Sequence, residues 1–415
     1  MHKEVHWQIG QVAVLGAGVM GAKIAALFAN AGFSVMLFDL PAGDDKNMLA
    51  EDAIHALLNT HPPALVDPGW ARYIKPANYE TDLPQLKQCG LIIEAIAERI
   101  DWKRELFSKI ESHIADQCVL ATNTSGLSIE ALSQVLPIHL QSRFMGMHFF
   151  NPPRYLSLVE LIPSKHTDRD LMDQVETFLT TYIGKNVIRA LDTPNFIGNR
   201  MGVFALLSAL HHADEFDLRF DVVDALTGPI IGHPSSATFR TLDIVGLDTF
   251  AHVVATMARD LKDDPWHDLF QLPDWIKKLI EKGSLGDKSG VGIYKKEKGV
   301  LNVYDVKEGH YKKMTGQPNR AIVDILKDKN KSHAFQQLFD EQHPEAQFLW
   351  AYFSDVWQYA AYHLKDIAQT VRDVDCAMKW GFAWEQGPFE LWQTIGIQDI
   401  VKRIQKENGK SNSSA

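Results

Sequence analysis

QVAVLGAGVMGAKIAALFANAGFSVMLFD, residues 11 to 39, is the stretch on which the fold turns. Gln11 to Leu15 is a short apolar run of the kind that forms a buried strand. It passes directly into Gly16-Ala17-Gly18-Val19-Met20-Gly21, then into a helical pattern, then into a second apolar run that ends at Asp39. Gly16 suits the tight turn, Gly18 lets the backbone approach a diphosphate, and Gly21 lets helix pack on strand. The helix start offers unpaired N–H groups and a positive dipole end to phosphates. A GxGxxG alone is a weak signal. Strand, glycines, helix, strand and acid in that order predict a dinucleotide site built from Gly16, Gly18, Val19, Met20, Gly21 and Asp39. Asp39 can accept hydrogen bonds from ribose hydroxyls and would repel a 2′-phosphate, so the cofactor expected is NAD rather than NADP.

Beyond this unit, residues 41 to 88 are polar and carry Pro41, Pro62, Pro63, Pro68, Pro76 and Pro84, which predicts short helices and loops. Apolar runs return at LIIEA (91–95) and CVLAT (118–122), separated by the amphipathic DWKRELFSKIESHI. Such alternation predicts a mostly parallel sheet covered on both faces, with ligands beyond the carboxyl ends of its strands. Glu98, Asn123 and Ser125 fall just past strand ends, at the level of a site. Next come RFMGMHFF and YLSLVELI, two apolar strands joined at NPPR, where Pro152 and Pro153 favour a bend. A bend centred near Arg154 sets His148 opposite Glu160. A carboxylate on one imidazole nitrogen fixes the tautomer and leaves the other nitrogen free to take a proton. Taken alone, a His twelve residues before a Glu is ordinary sheet chemistry; its neighbours make it a candidate base.

The length of 415 residues allows two or three domains. A formal net charge of -10 argues against a general nucleic-acid binder. Cys89, Cys118 and Cys376 are too few and too scattered for a disulfide framework or a zinc site, so no metal is expected. No run approaches a membrane span, and MHKEVHWQIG has no signal-peptide core, which together suggest a cytoplasmic setting. From Ile197 the pattern turns helical. DVVDALTGPIIGHPSSATFRTLDIVGLD is echoed by DVDCAMKWGFAWEQGPFELWQTIGIQD, the mark of a tandem module. Between them a lysine-rich stretch, 295 to 345, lacks strong periodicity. Trp350, Trp357, Trp380, Trp384 and Trp392 read as core packing, and His211, His212 and His233 as helix surface and loop.

The motifs EAIAERIDWKRELF, TNTSGLSI, HFFNPPRYLSLVELI and TPNFIGNR resemble those of the 3-hydroxyacyl-CoA dehydrogenase family, and in particular the dehydrogenase half of the multifunctional fatty-acid β-oxidation proteins, over residues 8 to 400. The resemblance implies His148 as catalytic base oriented by Glu160, with the Ser125 hydroxyl near the substrate 3-oxygen. It also implies Asn151 and Asn199 lining the reacting centre. Glu98, Lys103 and Lys288 (in DKSGVGIY) join the cofactor set, and Asn123 is counted with them. Three departures stand out, one being that the residue before Asn199 is Gly198 rather than a bulky aliphatic. The family's TPGF is here Thr193-Pro194-Asn195-Phe196, where Asn can still adopt a left-handed conformation. The lysine-rich segment that helps hold coenzyme A is reduced to Lys46 and Lys75.

The expectation is therefore an α/β Rossmann-type N-terminal domain (1–192) followed by an all-α domain made of a tandem helical repeat. Its first copy spans 193–300 and its second 346–405, joined by a connecting segment at 301–345 and ending in a disordered tail at 406–415. The expected reaction is NAD-dependent oxidation of (S)-3-hydroxyacyl-CoA, in a cytoplasmic monomer that can associate with other β-oxidation enzymes. No hydratase activity is expected, since no second α/β domain fits after residue 400. A dehydrogenase of free hydroxy or sugar acids on the same fold, or a non-catalytic nucleotide-binding scaffold, are the competing readings.

Overall fold

The apolar runs form an eight-stranded sheet: β1 (Gln11–Leu15), β2 (Val35–Asp39), β3 (Ile74–Asn78), β4 (Cys89–Glu94), β5 (Val119–Thr122), β6 (Phe144–Phe149), β7 (Leu158–Pro163) and β8 (Asn186–Arg189). The computed structural model describes Trp7 and residues Ile9 to Ser411, with 408 to 411 as backbone only. Most of the stretch read above for a signal core, Met1 to His6 and Gln8, lies outside the described residues. Contacts divide the chain into two units, Met1–Phe196 and Ile197–Ala415.

In the first unit the strand order is β3-β2-β1-β4-β5-β6-β7-β8. The first six strands run parallel, β7 turns back antiparallel on β6, and β8 follows β7. The order reverses at β1 and β4, so a crevice opens beyond their carboxyl ends. The helix Val19–Asn30 covers one face through Ile24, Ala25, Leu27 and Phe28. Beside it lies the helix Arg169–Thr181, which Asp168 caps and which presents Leu171, Val175, Phe178 and Leu179 at helical spacing. Phe28 sits among Phe33, Phe149 and Phe178, so the strand carrying His148 is locked to the nucleotide-binding helix by aromatic packing. Two strands escape the reading of 41 to 88 and of the later loops. β3 contains Pro76 but lies at the sheet edge, where a missing donor is tolerated. β8 has four residues, too short for a clear period.

The second unit is largely helical. The helix Gly198–Glu215 is buried along most of its length, and the helix Pro344–Ile367 packs against it. Phe204 stacks on Tyr359 with ring centroids 3.7 Å apart. A Cβ at Gly202 would lie 1.9 Å from Cζ of Phe382, so only glycine admits that ring. Two helical segments share a local device. Asp224 of Phe220–Leu226 accepts from the N–H groups of Thr238, Phe239 and Arg240, at 3.1, 2.7 and 3.0 Å, at the start of Phe239–Val245. Asp375 of Val371–Gly381 accepts from Phe389 N–H at 2.8 Å, at the start of Pro388–Ile395. Each second helix ends at a glycine with positive φ, Gly246 or Gly396.

The expectation of an all-α second domain needs correction. The stretch read as a featureless connector begins with an antiparallel sheet of β9 (Tyr294–Glu297), β10 (Val300–Asp305) and β11 (His310–Lys313). It continues with the helices Arg320–Leu326 and Lys331–Asp340. Lys298 and Gly299, at φ 47° and 82°, make the two-residue turn that suits a tight hairpin. The strands are short, lysine-rich and half-exposed, which hides their period. The helix Ile397–Ser411 runs through residues 406 to 411 of the stretch expected as a disordered tail, and residues 412 to 415 lie outside the described residues. Trp350, Trp357 and Trp392 are buried, whereas Trp384 is half-buried and stacks on His233, itself buried, at 4.0 Å. Among the described residues no single helix is long and apolar enough to cross a membrane.

Candidate active site

The glycine loop shows which of its residues answer to protein and which to a ligand. Gly16 has φ 105°, and a Cβ there would meet Ala95 O at 2.8 Å; a Cβ on Gly21 would sit 1.8 Å from Gly16 O. Both are demanded by packing. Around Gly18 nothing lies within 4 Å of an added Cβ, and the helix begins after it with no side-chain cap. Unpaired first-turn N–H groups beside open space fit a diphosphate. Asp39, at the end of β2, accepts from Ala17 N–H at 2.6 Å and from Leu40 N–H at 2.7 Å. It therefore braces the glycine loop, while each oxygen keeps a lone pair for a ribose hydroxyl.

At the next strand ends the carboxylates work mainly on the protein. Glu94, which sequence reasoning passed over, is fully buried and accepts from Lys103 Nζ at 2.6 Å, Thr122 Oγ1 at 2.5 Å and Ile96 N–H at 2.7 Å. An acid inside the run LIIEA was the signal for it. Lys103 is 1% exposed, its ammonium turned inward on Glu94 and 3.6 Å from Glu98. Glu98 in turn accepts from Thr124 Oγ1 at 2.5 Å, Ser125 N–H at 2.8 Å and Gly126 N–H at 3.2 Å. It fixes the turn that presents Ser125, whose hydroxyl has no recorded hydrogen-bond partner among the described residues. Asn123 accepts from Phe149 N–H at 2.9 Å, fastening the end of β5 to the end of β6 beside His148.

On β6 and β7 the register pairs His148 with Glu160. The imidazole Nδ1 lies 2.7 Å from Glu160 Oε2, with the two side chains 3% and 0% exposed. A carboxylate on Nδ1 favours the Nδ1–H tautomer and leaves Nε2 basic. The ring sits between Phe150 and Phe196, at centroid distances of 4.6 and 5.8 Å. Asn151 follows directly, and its Oδ1 accepts from Lys23 Nζ at 3.0 Å. The bend itself is gripped by Lys185, buried, whose ammonium donates to Leu156 O at 2.8 Å and to Pro153 O. Burial pushes this lysine down to about 8. Lys185 carried no sequence signal.

Asn195 takes φ 61°, the left-handed conformation expected of it, and packs against Gly126, where a Cβ would meet its Oδ1 at 2.5 Å. Of the remaining residues implied, Asn199 is half-buried near the start of the helix Gly198–Glu215, and Lys288 is ion-paired to Asp248; both belong to the second unit. Away from these, His211, His212 and Glu215 bring potential metal-ligating atoms within 4.8 Å of one another. Both ring nitrogens of His212 are already taken, by Glu215 at 2.7 Å and Asp355 at 2.8 Å.

Known proteins are similar to this chain. Residues 11–193 match the family model of the 3-hydroxyacyl-CoA dehydrogenase NAD-binding domain, and residues 196–296 match that of its C-terminal domain. A probable 3-hydroxyacyl-CoA dehydrogenase of Bacillus subtilis is 37% identical over 97% of this chain; the alignment spans 53% of that relative, about half its length. A probable 3-hydroxyacyl-CoA dehydrogenase of Deinococcus radiodurans is 42% identical over 70% of this chain and 84% of its own. The crystal structure of 3-hydroxybutyryl-CoA dehydrogenase from Escherichia coli shares the fold, with a TM-score of 0.72 at 23% identity over 97% of this chain and 95% of that one. With both family domains matched in order and a relative covered over most of its length, the chain belongs to the 3-hydroxyacyl-CoA dehydrogenase family.

Proposed function

We propose that this chain oxidises (S)-3-hydroxyacyl-CoA thioesters to 3-oxoacyl-CoA with NAD, as a step of fatty-acid β-oxidation. The observation that carries the reading is the buried His148–Glu160 pair, which leaves Nε2 free to take a proton, on a strand whose end is fastened through Phe149 to Asn123, two residues before Ser125. Oxidising a secondary alcohol needs a base for the hydroxyl proton and an acceptor for the hydride. His148 Nε2 takes the proton, and Glu160 stabilises the imidazolium as charge develops. Ser125 holds the oxygen that loses it, with Asn151 lining the reacting centre. Bound at the glycine loop, the cofactor supplies the hydride acceptor at its nicotinamide ring. Asp39 disfavours a 2′-phosphate there, while Glu98, Asn123 and Lys103 stiffen the walls. Asn199 and Lys288 stay in the reading on the family resemblance alone.

The second helical segment is read as a tandem copy of the first, supported by the matching Asp224 and Asp375 caps and the matching Gly246 and Gly396 ends. Its packing through Pro344–Ile367 and Phe382 on the helix Gly198–Glu215 favours a monomer that can still join other β-oxidation enzymes. Three buried, unpaired thiols suit a reducing, cytoplasmic setting.

The test is NADH absorbance with acetoacetyl-CoA compared with free acetoacetate. Rapid NADH consumption with the thioester alone is expected, and His148→Gln should lower turnover by about two to four orders of magnitude while leaving NADH binding intact. Preference for the free acid would favour the hydroxy-acid reading. NADH binding without turnover of either would favour a scaffold.

A further inference from the structure

Lys23 has no role in the reading so far. It stands one turn after Val19 on the helix that begins at the glycine loop, so it shares the face that starts beside the open space at Gly18. Its ammonium is half withdrawn from water, which lowers its proton affinity. No carboxylate of the described residues lies within ion-pair distance; its hydrogen-bond partner is the amide oxygen of Asn151, at 3.0 Å. A cation held this way has one weak acceptor and spare donor capacity. Its helix begins one turn earlier at the glycine loop, and its ammonium meets the loop that follows His148. No carboxylate of the described residues pairs with it, so an anionic ligand group is its natural complement.

We infer that Lys23 is a cofactor-binding residue, whose ammonium meets the diphosphate of the dinucleotide and, through Asn151, ties an occupied cofactor site to the loop carrying the reacting centre. The inference rests on the cofactor reading above and adds a residue to it. Lys23 contributes charge that the backbone N–H groups lack, and Asn151 is steered when the ammonium turns toward phosphate.

The test is a fluorescence titration of the full chain with NADH at several salt concentrations, with adenosine and ADP as competing probes. Lys23→Ala should weaken NADH and ADP about ten-fold, as expected for loss of a charge-assisted hydrogen bond that is partly solvated. It should leave adenosine unchanged and flatten the salt dependence of NADH binding, because one fewer cation meets phosphate. Alanine suits a helix, and circular dichroism checks that the variant folds. Lys23→Arg should restore most of the affinity. Asn151→Asp should weaken NADH although Lys23 is present, because the new carboxylate neutralises it. The inference is overturned if Lys23→Ala binds NADH like the parent, if adenosine weakens as much as NADH, or if the salt dependence is unchanged. Failure of the unaltered chain to bind NADH at all would instead overturn the cofactor reading beneath it.

Discussion

Replacing Glu160 with Gln separates two things the carboxylate does for His148. Gln keeps an oxygen that can accept from Nδ1–H, so the tautomer and ring orientation survive; it loses the charge. The pair is closed off from water, with side chains 3% and 0% exposed and a 2.7 Å contact. Once the imidazole is protonated, charge centres roughly 4 Å apart at an effective permittivity of about 20 attract by about 4 kcal/mol. In the transition state the proton is only part-way across, so about half of that, ~2 kcal/mol, is lost, or roughly thirty-fold in kcat. His148→Gln removes the base itself and should cost about two to four orders of magnitude. The assay is steady-state NADH formation from (S)-3-hydroxybutyryl-CoA, with kcat and KM resolved. The loss should fall on kcat, since the interaction strengthens only as charge appears. Parent turnover in Glu160→Gln, or a loss exceeding that of His148→Gln, would refute the argument.

Asp39→Ser should weaken NADH by about ten-fold and NADPH by less, narrowing the preference, because a charged acceptor for the ribose is lost together with the repulsion of a 2′-phosphate; tighter NADPH than NADH binding by the unaltered protein would count against it. Gly202→Ala should destabilise by about 1–3 kcal/mol through overpacking against Phe382, read as a lower urea midpoint. Most of that loss should vanish in a Phe382→Ala background, whereas strict additivity would show that the two do not meet. Lys185 holds its proton less tightly when folded, at about 8 against the usual 10.5. The unfolded chain thus binds the extra proton between these values, so stability from this group rises with pH across that window and is lost as pH falls through about 8. Denaturation across the window should show a rise of at most about 3–4 kcal/mol that is missing in Lys185→Met.

The nucleotide-binding unit and the His148–Glu160 pairing were legible in the sequence because local rules decide them. A buried strand needs a continuous apolar run, a tight turn into a helix needs glycine, and a bend between two period-two strands sets which residues face each other. The same reasoning found the left-handed Asn195, since only a small polar side chain substitutes readily for glycine there. It failed where the signal was weak or masked. β3 hides behind Pro76, and the lysines of β9 to β11 face solvent and blur the period. The tertiary structure alone decided which polar tips meet. Lys103 turns inward to Glu94, Asp39 braces Ala17, Lys185 grips the bend, and Lys23 reaches Asn151 across 128 residues of chain. Backbone pattern is set within a few residues, but the partner of a long charged side chain depends on which distant segment the packed sheet brings within about 3 Å, and no local period encodes that.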